Sequence, residues 1–163
     1  MKRYHLLTVA AGALLIAALA PQGANAQEAM KTAGMISGTQ KVLSSIELPD
    51  GRTIRRIMFS VGVTADDHSS PWHLGSQDCL ATYMFAADGS QIGGRGACDF
   101  VSPEGDLWWL TFEASGSTDP VQWKGLGGTG KFTGIEHSGT TVTNAEWGDG
   151  KVIGRWEGTM TKK

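Results

Sequence analysis

Beyond residue 20 the chain has no apolar run that could cross a membrane as a helix, which takes about 20 residues, so a bitopic or polytopic helical membrane protein is excluded. It has no run of apolar residues at helical period either, which points away from a helical body. Positive charge is scarce: the formal net charge is −2, which gives no electrostatic reason to bind nucleic acid or anionic lipid. There is no G-x-S-x-G elbow, no Ser/His/Asp set that can be placed, and no cofactor fingerprint. No cofactor is therefore expected, and any reaction must rest on side chains alone.

What is present begins with Lys2-Arg3, an apolar segment from Leu6 to Ala20, and Ala24-Asn25-Ala26. This charged, apolar, small-residue order is that of a secretory signal peptide, with cleavage expected after Ala26 and a periplasmic or secreted destination. No cysteine follows the small residues, so no lipid anchor is expected. The exported part would be residues 27–163: a flexible lead-in at 27–33 and one domain at 34–163. With Lys2 and Arg3 removed, 12 basic against 16 acidic residues leave a mature charge of 12 − 16 = −4. Twenty-one of the 23 glycines and all six tryptophans fall in this part, which suits short strands joined by glycine turns.

The stretch Trp123–Thr140, W-K-G-L-G-G-T-G-K-F-T-G-I-E-H-S-G-T, carries five glycines between Gly125 and Gly134 and must be a tight turn. Gly125, Gly130 and Lys131 have the G-x-x-x-x-G-K spacing of a phosphate loop. Phe132 nevertheless stands where a magnesium-binding hydroxyl belongs. No apolar strand leads in and no helical stripe follows, so a nucleotide site is rejected.

The same residues, Trp123, Gly127-Gly128-Thr129-Gly130-Lys131-Phe132, Gly134 and Ser138-Gly139-Thr140, resemble the allene oxide cyclase-like barrel family and its dirigent relatives. The resemblance covers about the last 85 residues, from about Asp78. It implies a small antiparallel β-barrel. It also implies a cofactor-free isomerase or cyclase as one activity, since allene oxide cyclases fold a fatty-acid epoxide for ring closure inside such a barrel. Glu113 or Tyr83 would then assist the leaving oxygen. The dirigent relatives, known as trimers, imply a structural, homo-oligomer-forming role instead.

Alternation supports the strand reading independently. From Arg52 to Val63, Ile57, Phe59, Val61 and Val63 share one face and Arg56, Met58, Ser60 and Gly62 the other. Pro49-Asp50-Gly51 is a turn, with Val42–Leu48 a weak strand before it. Between Gln77 and Val101, the turn Ala87-Asp88-Gly89-Ser90 sets a hairpin in which opposed positions sum to 177. Cys79 then faces Cys98, at a separation of about 4.5 to 5.5 Å that a disulfide can bridge; two buried thiols are the alternative. The same register sets Tyr83 against Gly94, Phe85 against Ile92, and Asp78 against Asp99. Opposed carboxylates repel, so they are hydrated at a rim, share a proton, or hold a cation; a raised pKa would make one of them a general acid.

Leu107–Glu113 puts Trp108, Leu110 and Phe112 on one side, and Lys151–Thr161 puts Val152, Trp156 and Met160 on one face. Seven or eight antiparallel strands suit an all-β closed barrel, with a β-sandwich as the alternative. Tyr83, Phe85, Trp108, Phe112 and Trp156 are the expected lining of a cavity for a small, largely apolar molecule. The 13-residue break from Thr64 to Ser76 is long enough to be functional. Its Asp66, Asp67, His68 and His73 are metal-donor types, but their spacing matches no established ligand pattern, so no metal is expected. Glu136 and His137 are neighbours on a strand, so only one of them can look inward.

Overall fold

The computed structural model describes residues 29–163, and the expected signal peptide lies outside them. Eight strands follow one another: β1 (Met30–Glu47), β2 (Thr53–Ala65), β3 (Gly75–Phe85), β4 (Gln91–Val101), β5 (Leu107–Ala114), β6 (Val121–Gly128), β7 (Ile135–Glu146) and β8 (Lys151–Lys162). Each pairs antiparallel with the next, and β1 pairs with β8, so the sheet is a closed barrel and not a sandwich. Closure leaves no long unpaired edge in the body of the sheet.

Two local expectations need correction, and one expected strand is present as part of a longer one. Residues 30–33 belong to β1: Met30 to Thr39 is bonded to β8, and pairing supplies the order that the unpatterned side chains do not signal. The weak strand at Val42–Leu48 is the far end of that same long strand. Phe85 lies opposite Gln91 and not Ile92, because the β3–β4 ladder slips by one residue between Met84 and Phe85. A slip of this kind bends the strand and adds twist.

Glycine and aromatic residues are used together to close the wall. Inward rings pack against glycines of nearby strands: Phe100 on Gly75, Tyr83 on Gly94, Phe112 on Gly96, Trp108 on Gly125, and Trp123 on Gly139 of the adjacent strand and Gly158 of the next. A Cβ at any of these glycines would collide with the ring. Each pair lets the sheet curl tightly while the ring covers the bare backbone.

The barrel has two unlike ends. The upper end carries the four short hairpin turns, and the lower end carries the 66–74 loop, the 102–106 turn and the 129–134 turn. The lower end is stoppered. Phe132, in the 3₁₀ turn Gly130–Phe132, and Phe100 are fully buried, and Trp72 drops in from the 66–74 loop with 2% exposure. Leu74 turns the loop back toward β3 with φ of 61°, a left-handed conformation that is strained for a branched side chain.

Cys79 and Cys98 are directly opposed and form a disulfide across a sequence separation of 19 residues. A loop of that size is worth roughly 3 kcal/mol in the chain-entropy model. Reduction, or replacement of both cysteines by alanine, is expected to lower unfolding free energy by about that amount in urea titrations. A change below about 0.5 kcal/mol would show that the barrel alone holds these strands in register.

Candidate functional site

Strand alternation sends every second side chain inward, and the inward set lines a cavity of about 130 Å³. Its middle is apolar, with Val61, Val63, Leu110 and Phe112 on the walls and the Cys79–Cys98 bridge set into them. Of the aromatic lining expected from sequence, Tyr83, Trp108, Phe112 and Trp156 are in the wall. Phe85 is half-buried at the upper mouth, where the Arg55 guanidinium stacks over its ring at 4.5 Å. A larger concavity, about 920 Å³, is an open groove on the outer lower rim, lined by Lys31, Asp66 and Glu157 among others. The interior cavity is the better site, because it lies inside the barrel among buried apolar side chains and is lined by the residues that carry unpaired ring nitrogens.

The mouth is polar. Tyr83 sits opposite Arg55, and Gln40 donates to Glu146 across the β1–β7 side. Burial, with a smaller contribution from the Glu146 charge, pushes the Tyr83 phenol up to about 12, so it stays protonated at neutral pH. Arg55, Gln40 and Glu146 were not singled out from sequence. Arg55 is the only one with a legible signal, because it shares the parity of Ile57 and Phe59.

The floor is built around His137, which is 3% exposed. Four tryptophans surround its ring, with centroids at 4.0 Å (Trp72), 4.7 Å (Trp123), 5.4 Å (Trp108) and 6.1 Å (Trp156). Its Nε2 is 2.7 Å from the Thr32 hydroxyl, and its Nδ1 has no partner. Burial in this cage pulls the imidazole down to about 3, so it is neutral across the physiological range. Glu136 faces outward and pairs with Lys163, so His137 is the inward member of that couple.

The remaining candidates point elsewhere. Glu113 is exposed on the outer surface, opposite Arg95 and Gln122. Asp78 and Asp99 are opposed, as expected, but both are exposed on the outer face with no access to the cavity. Asp66 pairs with Arg155 at 2.6 Å, and that contact holds its carboxyl below the usual range. His73 bonds through Nδ1 to the Ala65 backbone and stacks on His68 at 4.3 Å. The loop's contribution to the cavity is instead Trp72, which its polar neighbours concealed.

A closed eight-stranded antiparallel barrel is a dirigent-like fold. Two solved structures share it: the pterocarpan synthase dirigent protein PsPTS1, with a TM-score of 0.55 and 10% identity over 83% of this chain and 96% of that one; and the pterocarpan synthase dirigent protein GePTS1, with a TM-score of 0.53 and 14% identity over 84% and 92%. At such identity the likeness is one of fold. No family model and no curated protein matches the sequence.

Proposed function

We propose that this chain is an exported, non-catalytic binding protein that holds a small, largely apolar molecule inside the barrel. The observation that carries the reading is the interior cavity of about 130 Å³ with largely aliphatic and aromatic walls. Dry apolar cavities of about 150 Å³ take up a single benzene-sized guest, so a monocyclic molecule is the size class that fits. The disulfide supports export, since such bonds persist in oxidising compartments. Among the described residues no helix is long and apolar enough to cross a membrane.

Titration with benzene or toluene is expected to change the tryptophan fluorescence saturably, because Trp108 and Trp156 are wall residues. Val61→Phe, which fills the cavity from the wall, should weaken binding at least about tenfold while leaving the fold intact. Failure of every monocyclic molecule, hydrocarbon or oxygenated, to bind would sink the reading. The cofactor-free cyclase alternative draws support from Tyr83, a phenol held protonated beside the cavity. Turnover of a lipid epoxide that is lost in Tyr83→Phe would favour it.

A further inference from the structure

Three buried ring nitrogens, on residues that line the lower part of the cavity, have no protein partner: Trp72 Nε1, Trp108 Nε1 and His137 Nδ1. Their residues are 2%, 2% and 3% exposed. The rings touch one another, with centroids 4.0 Å apart for Trp72 and His137 and 5.4 Å apart for Trp108 with either of the other two. All three residues line the same cavity, and each comes from a different part of the chain. Buried donors are ordinarily paired, so three orphans in one cluster need an account.

We propose that this cluster is an oxygen-recognition floor, and that the guest is a neutral monocyclic molecule carrying one hydroxyl or carbonyl oxygen, which enters oxygen first. The inference rests on the cavity being a binding site. Indole N–H only donates, so Trp72 and Trp108 both require an acceptor, and one oxygen has two lone pairs. The third contact follows from the tautomer. If Nε2–H donates to Thr32, Nδ1 accepts and a guest hydroxyl, accepting from the indoles and donating to Nδ1, completes the set; if the Thr32 hydroxyl donates to Nε2, Nδ1–H is a donor as well, and a carbonyl oxygen accepts from two of the three. A carboxylate guest is disfavoured. Lys131, which approaches the Phe132 ring at 5.6 Å, is committed to Glu104, and a buried anion without a counter-charge is costly.

The test compares benzene, phenol and cyclohexanone on the unaltered protein, with the indole N–H resonances of Trp72 and Trp108 followed by NMR. Phenol or cyclohexanone is expected to bind at least about tenfold tighter than benzene and to shift both resonances downfield. Trp72→Phe, which keeps a ring and removes one donor, should erase most of that advantage while benzene binding persists. If benzene binds as tightly as the oxygenated pair, or the resonances stay put, the proposal fails although the binding reading survives; the N–H groups would then be served by neighbouring ring faces. If none of the three binds, the binding reading fails and takes this proposal with it.

Discussion

Phe132→Ala is expected to cost about 3 to 5 kcal/mol of folding stability. Phe132 is fully buried although it sits in a turn. Its ring is edge-on to Phe100 at 5.6 Å and tilted against Trp72 at 5.5 Å, so it closes the lower end beneath the histidine cage. The turn is built to present it. Gly130 takes φ of 51° beside Asp106, where a Cβ would collide with the carboxylate, and that carboxylate accepts from the Lys131 N–H at 3.1 Å. Truncation leaves a hole that rigid strand ends cannot fill, so the cavity cost adds to the lost transfer free energy. Leu126→Ala, at a neighbouring residue that is 66% exposed, should change stability by less than about 0.5 kcal/mol. Urea unfolding of the two variants checks the contrast. A loss below about 1 kcal/mol for Phe132→Ala would mean that the turn does not anchor the floor.

Acid is expected to unfold the protein earlier than its surface charges require, and His137 is the reason. Its folded pKa is about 3 against an ordinary value of 6.5, because the tryptophan cage excludes the charged form. Between these values the unfolded chain binds more protons than the folded one, so stability rises with pH. The contribution is fully present above about pH 6.5 and is lost progressively as the pH falls toward about 3. At pH 4 the loss is about 3 kcal/mol relative to neutral pH, the proton-linkage value for a shift of that size.

The exposed carboxylates Asp50, Asp66, Asp88 and Asp149, held low chiefly by hydrogen bonds to neighbouring side chains, have the same sign. They act at lower pH, because their ordinary value is 3.8. His137→Phe keeps an aromatic ring and should flatten the stability curve between pH 4 and pH 6.5. An unchanged slope in that variant, measured by guanidinium unfolding, would remove His137 from the account.

The local signals in the sequence were good where a strand has one wet face. In β2, Ile57, Val61 and Val63 are buried and Met58 is exposed, as the alternation requires. The Asp88-Gly89 turn set a register that brought Cys79 to Cys98 and Tyr83 to Gly94. It failed at Phe85, where the ladder slip has no side-chain signature. The first half of β1 was illegible because Gly34 and Gly38 lie against the β2 backbone and leave no apolar pattern to read.

The floor was the least legible part. Trp72 sits among Asp, His, Ser and Pro in a loop, and His137 looks like any strand histidine. Their rings are 4.0 Å apart although the residues are 65 positions apart in the chain, from 137 − 72 = 65. The amino-acid order by itself determined the all-β class, the hairpin turns, the cysteine pairing and the two faces of most strands, because period-two alternation and turn chemistry act over a few neighbouring residues. Only the tertiary structure decided that the sheet closes, which face becomes the interior, and that four tryptophans enclose one histidine. Those outcomes depend on β1 meeting β8 and on loops folding across the barrel end, contacts between distant residues that no local pattern encodes.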